Sequence, residues 1–204
     1  QAESVFAGLD EASSWDAVIG AEPAEGRRLT GPEFDTALEA IADFTDVKSP
    51  FTIGHSRGVA DLAGEAALRC GLGPAGSSLV RRAGLVHDLG RLGVSNAVWD
   101  KPGALSHSET ERVRLHPYLT ERMLACCPAL APLAAIAVQH HERLDGSGYP
   151  RGLTGGAIGT EGRLLAAADF YQSRTEPRPH RPAVPSAEAA GLLRAEARAG
   201  RLDG

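Results

Sequence analysis

The stretch HHERLDGSGYP, His140 to Pro150, decides how the rest of the chain reads. It follows Ala129 to His141, an almost wholly apolar run with Leu130, Leu133, Ile136 and Val138. Such a run predicts a helix buried in the middle of the domain, which delivers its two terminal histidines to the interior. Gly146 and Gly148 then let the backbone turn sharply. Neighbouring imidazoles at a helix end converge on one cation, and Asp145 is placed to orient a ligand from behind. Four other places supply the ligand types that two metals would still need: His55, His87-Asp88, His116 and Asp169.

Each of these sits at a helix end or on an apolar face. Ser49-Pro50 predicts a helix start, with Ser as the cap and Pro at the first position. In that helix Phe51, His55, Val59, Leu62 and Ala66 share one face, so His55 points to the core. Gly71 to Gly76 reads as a loop, Ser77 or Ser78 as the next cap, and Leu79 to Leu89 as a helix carrying His87-Asp88 near its end. Val98 to Ser106 reads as a surface loop. Ser106 to Glu109 fits a capping box, with His107 solvated in the first turn. His116-Pro117 opens another helix, with Leu119, Met123 and Leu124 inward. After the glycine-rich Gly152 to Gly159, Thr160 caps a helix that brings Asp169 onto a buried face. A buried carboxylate there needs a partner.

Toward the N-terminus, residues 1–30 read as a helical lead-in or linker, with Val5, Phe6 and Leu9, then Trp15, Val18 and Ile19, then a Gly/Pro/Glu-rich break. A capping box at Thr30 to Glu33 opens the first firm helix, Gly31 to Asp46. At the other end, RTEPRPHRPAVP (Arg174 to Pro185) is either a solvated Pro/Arg linker or a phosphate-facing arginine loop. Ser186 opens a last helix to about Ala199. No convincing strand and no internal repeat is legible, so the fold class is all-α.

Composition narrows the function. The chain has 204 residues, 43% of them hydrophobic, enough for one domain with a sizeable core. A net charge of −5 argues against a direct nucleic-acid binder. No apolar run approaches the roughly 18 residues of a membrane span and no signal peptide opens the chain, so it reads as cytoplasmic. The cysteines, Cys70, Cys126 and Cys127, are odd in number with two adjacent, which argues for buried reduced thiols. The first residue, Gln1, and the abrupt end at Gly204 read as a piece of a longer protein.

Five imidazoles (His55, His87, His116, His140, His141) with Asp88 and Asp169 offer nitrogen and oxygen ligands and no thiolate, suiting Fe, Mn, Zn or Co. Seven ligands are too many for one cation and suit two divalent transition metals that share a carboxylate. Two cations, two aspartates and a hydroxide leave the site at about +1, which attracts a phosphodiester and activates water. Hydrolysis of a phosphate ester follows.

The motifs HSRGV at His55, HDLGRLGV at His87, HPYLTERML at His116, HHERLDGSGYP at His140 and RLLAAADFY ending at Asp169 and Tyr171 resemble the HD-GYP subgroup of the HD-domain metal phosphohydrolases. The resemblance runs from Gly31 to Gly204. It implies an HD-domain helical bundle with a C-terminal helical extension, and hydrolysis of cyclic di-GMP to pGpG and further to GMP by a metal-activated hydroxide. It implies His55, His87 and Asp169 on one metal, His116, His140 and His141 on the other, and Asp88 bridging. It gives the scissile phosphate to Arg91, Arg178 and Arg181, and Tyr149 to the substrate base, to a partner synthase domain, or to packing of its own loop. The pattern usually has Lys at Arg91, Gly at Thr120, Asp at Gln172 and Tyr at His180. Phe51 stands where members with a third metal carry Glu, so two metals are expected. Other readings are a phosphohydrolase for another nucleotide and a regulatory module that binds a nucleotide or a regulator partner without turnover.

Overall fold

The computed structural model describes residues 14–21 and 28–203, and all its described regular elements are helical. Val5, Phe6 and Leu9 lie outside the described residues. Two units divide the chain. The first, Gln1–Phe34, contains α1 (Ser14–Gly20) and the opening turn of α2 (Gly31–Asp46). There Glu33 accepts from both the backbone N–H and the hydroxyl of Thr30 at 2.9 Å, the return half of the capping box.

The second unit, Asp35–Gly204, holds everything else. Its core is made by α3 (His55–Arg69), α4 (Gly73–Val86) and α9 (Thr160–Thr175). Val59, Ala63 and Ala67 meet Val80 and Ala83, with Leu165 and Ala168 laid across them. The small residues are there because α3 and α4 pack very closely: a Cβ on Gly84 would lie 2.7 Å from the Cα of Ala60. Interiors packed this tightly leave no room for a larger side chain.

Several helix starts differ from the sequence expectation. α3 begins at His55, not at Pro50, because Gly54 adopts φ 80°, and residues 47–54 form turns. Its N-terminus is capped from outside: the Ser56 N–H and hydroxyl donate to the buried Asp46 at 2.8 and 2.7 Å. Burial pushes the Asp46 carboxyl above its ordinary pKa, against the lowering effect of those two bonds. Leu62 and Met123 face outward, at 37% and 38% exposure. α4 begins at Gly73, with Pro74 in its first turn, and Ser77 donates instead to the Gly64 carbonyl of α3 at 2.8 Å. The loop expected from Val98 is preceded by a short turn of helix, α5 (Asn96–Trp99), that buries Val98. All three cysteines are free and exposed rather than buried.

α6 (His107–Arg114) carries the full capping box at Ser106 and Glu109 and an exposed His107. α7 (His116–Ala125) starts at His116, and α8 (Ala131–Ala137) is shorter than the apolar run, ending before its histidines. α10 (Ser186–Arg198) packs on α9, where Leu193, Phe170, Ala166 and Leu202 make a second small core. No helix among the described residues is long and apolar enough to cross a membrane.

Candidate metal centre

Helix ends build the site. An α-helix leaves its last carbonyls without intrahelical partners. Three histidines exploit this, each placed three residues beyond such a carbonyl: Nδ1 of His87 donates to Gly84 O at 2.7 Å, that of His116 to Val113 O at 2.6 Å, and that of His140 to Ala137 O at 2.7 Å. A carbonyl only accepts, so Nδ1 is the protonated nitrogen, and in the neutral ring Nε2 is the one that carries a lone pair. His55, at the first residue of α3, instead meets the carboxylate of Glu176 through Nδ1 at 2.8 Å.

The Nε2 atoms and two carboxylates converge. Asp88 divides its oxygens: Oδ1 lies 3.2 Å from His116 Nε2 and 3.7 Å from His140 Nε2, while Oδ2 lies 3.7 Å from His87 Nε2 and 3.8 Å from His55 Nε2. Asp169, from α9, places Oδ1 3.3 Å from His55 Nε2 and Oδ2 3.7 Å from His141 Nδ1. Two triads, His55, His87 and Asp169, and His116, His140 and His141, each have ligand atoms within 4.8 Å of one another. A third such set, His87, Asp88 and His140, spans both. All are buried except His141, whose side chain is 23% exposed.

Two features fit cations at this place. His87 Nε2 is buried with no hydrogen-bond partner, a costly state for a lone pair. The Nε2 atoms of His116 and His140 face each other at 3.1 Å, where two neutral rings with Nδ1 bound to carbonyls would oppose lone pairs. Two lone pairs at that distance repel unless positive charge lies between them.

The electrostatics agree. Burial, reinforced by the charges of the neighbouring histidines, pushes His140 down to about 3 and His141 well below the usual imidazole range, keeping both neutral and able to ligate. Burial would raise Asp88 and Asp169, but the surrounding histidines and Arg91 hold Asp88, and His55, His141 and His87 hold Asp169, well below the usual carboxylate range. His55 is also lowered by burial, yet Asp169 and Glu176 carry it up to about 9. The negative field there calls for a positive charge, which a cation supplies as well as a proton does.

Around the cluster, Arg91 sits 3.2 Å from Asp88 and lies over the Trp99 ring at 3.9 Å. Arg91, Arg178, Trp99, Phe51 and His180 line a hollow of about 180 Å³, which shares Trp99 and His180 with another of about 520 Å³ lined by Val98, Leu105 and Val113. Tyr149 lies over His141, with ring centroids 4.7 Å apart, and Arg114 covers it at 5.1 Å. Thr120 donates to His87 O and accepts from Gly90 N–H, tying His87-Asp88 to α7.

Three sequence expectations need correction. Asp145 is exposed, and its Oδ1 accepts from the Ser147 N–H and hydroxyl in a local turn rather than from a histidine. Arg181 borders the hollow, but its guanidinium is taken up by the carbonyls of Ser173, Arg174, Glu176 and Pro182, so it fixes the loop's shape. Phe51 is not a helical turn before His55. It lies in the preceding turn, where its carbonyl accepts from Arg178 at 2.5 Å.

Two residues were missed. Glu142, buried, accepts from the backbone N–H groups of Arg151 and Leu153 and pins the loop after the histidines. Glu176 meets His55 from just past the end of α9, 121 residues along the chain, where no local sequence pattern points to it.

The bundle and its helix ends define a class, that of all-helical domains built to hold divalent cations with imidazole and carboxylate ligands. The sequence pattern of the HD domain matches residues 39–204, and the chain belongs to that family. It is 36% identical over 92% of its length to 3'3'-cGAMP-specific phosphodiesterase 3 of Vibrio cholerae, of which it spans 41%. It is 40% identical over 52% of its length to a cyclic di-GMP phosphodiesterase of Pseudomonas aeruginosa, of which it spans 26%. A crystal structure of a cyclic GMP-AMP specific phosphodiesterase from V. cholerae superposes with a TM-score of 0.55 at 28% identity, covering 97% of this chain and 45% of that one. The chain thus spans less than half the length of these relatives.

Proposed function

We propose that this chain hydrolyses a phosphodiester bond of a cyclic dinucleotide, as the named activities of its relatives suggest. His55, His87 and Asp169 would hold one divalent transition metal and His116, His140 and His141 a second, with Asp88 placed between the two sets. The observation that carries the reading is the split of the Asp88 oxygens between two groups of imidazole nitrogens. Bound there, two such ions supply a nucleophilic water near neutral pH and neutralise charge developing on the phosphate. The nitrogen and oxygen ligand set favours Fe, Mn, Zn or Co.

The protein's own groups do the positioning. The carbonyl-bound imidazoles keep their protons away from the centre, so no ring rotation precedes ligation. Arg91 holds its guanidinium at the edge of the cluster through Asp88 and Trp99, and Arg178 lines the same hollow, so both are placed to take a phosphate oxygen. From that hollow the wall of Trp99 leads into the larger one, whose volume and largely apolar lining, with the Trp99 ring, suit a nucleoside. Tyr149 shields His141 from one side.

Cyclic di-GMP and 3'3'-cGAMP differ in one base, and relatives carry either name. Side-by-side kcat/KM measurements with both, with mononucleotides, and with Mn or Fe(II) supplied, test the reading. Linear dinucleotide from a cyclic substrate supports it. Turnover of mononucleotides alone would assign another phosphohydrolase, and tight cyclic-dinucleotide binding without product would assign a regulatory module.

A further inference from the structure

His87, His116 and His140 take their orientation from carbonyls at helix ends, but His55 cannot. It is the first residue of α3, where the backbone presents N–H groups and no free carbonyl. Its orienting partner comes from far along the chain. Glu176, just past the end of α9, accepts from His55 Nδ1 at 2.8 Å through Oε2. The same oxygen accepts from Arg178 at 3.0 Å, and the other accepts from the Gln172 amide at 2.7 Å. Arg178 in turn donates to the carbonyl of Phe51, in the turn that leads into α3.

We propose that Glu176 is a positioning residue that sets two groups at once, the imidazole of His55 and the guanidinium of Arg178. The proposal rests on the reading above, in which His55 ligates a metal and Arg178 faces the phosphate. Asp169 on α9 and Glu176, the residue that follows the helix, clasp opposite nitrogens of the His55 ring, at 3.3 Å on Nε2 and 2.8 Å on Nδ1. A carboxylate on the far nitrogen makes the near one a stronger donor than a carbonyl would. Glu176 is shielded, with its side chain 16% exposed, so the interaction is weakly screened by water. Gln172, where the family pattern usually has Asp, adds no charge of its own and serves Glu176.

The test is calorimetric titration of Mn²⁺ into the chelator-stripped chain, for the wild type, Glu176→Ala and Glu176→Gln, with melting of each stripped protein. The wild type is expected to show two sites. Glu176→Ala should weaken one of them by about 10–100-fold and leave the other nearly unchanged. Glu176→Gln, which keeps an acceptor oxygen without the charge, should fall between. The KM for a cyclic dinucleotide should rise in the same order. Equal affinities in all three proteins would overturn the proposal, as would loss of both sites together in step with a lowered melting temperature. A wild type that takes up no Mn²⁺ would overturn the metal reading itself and the Glu176 assignment with it.

Discussion

At the scale of single residues, the account turns on which side chains have two jobs. Asp88 faces two imidazole groups and holds Arg91, both through one buried carboxylate. The seven residues that converge at the centre were legible in the sequence as a set, because five histidines at helix ends or on apolar faces together with two aspartates are more than a core collects by chance. What was not legible was what stands behind them. Asp145 looked suited to orient a ligand by its position in the loop, yet Asx-type turns use the same residue in the same setting. The exposed cysteines escaped because a free thiol's composition gives no sign of which helix face it occupies. One residue away from the site offers an independent check of the geometry. Lys101 and the Ser106 N–H hold Glu109 down to about 2. A carboxyl lowered on folding stabilises above its unfolded value of 4.5 and loses that contribution as pH falls. The difference in melting temperature between wild type and Glu109→Gln should therefore be full at pH 7 and vanish between pH 4.5 and 2. A difference independent of pH would contradict the ion pair.

At the scale of elements, close approach fixes where the ligands lie. The turn Leu89–Gly93 rests against α7 with Gly90 at the contact, where an added Cβ would collide with the carbonyl of His116 and come within 2.5 Å of Thr120 N. Gly90→Ala should cost about 3 kcal/mol, toward the upper end for overpacked sites, and should shift His116. Urea denaturation and metal content measure both effects. A variant with unchanged stability would mean that this turn does not pack as described. Helix identity was legible from apolar spacing, and the starts of α6 and α7 from their caps and proline. The starts of α3 and α4 were not, because Ser49-Pro50 and Ser77 carry capping chemistry but are used in a turn and in an interhelical bond. Gly54 and Pro74 decide those starts instead. The cap of α3, Asp46, is ten residues from the group it serves, beyond any local pattern.

At the scale of the whole molecule, the clustered imidazoles and carboxylates come from five separate segments, so two cations bound there would tie the end of α4 to α3 and α9, and α7 to the segment after α8. Metal should consequently stabilise the fold. With free Mn²⁺ at 100 times its dissociation constant, each site adds about 2.7 kcal/mol, and the melting temperature should rise by several degrees over chelator-treated protein. No rise would mean that the cluster does not hold the ion. The overall fold was legible from the absence of alternating apolar patterns and the series of helix signals, whereas the hollows beside the cluster are lined by Trp99 and His180, which are far apart in sequence. The most direct test of the central claim is product analysis with cyclic di-GMP and 3'3'-cGAMP, with Mn or Fe(II), beside Asp88→Ala. The account predicts linear dinucleotide from the wild type, abolished by chelator and reduced about a thousandfold or more in the variant. Undiminished product from Asp88→Ala, or no product from a wild type carrying two metals, would contradict it.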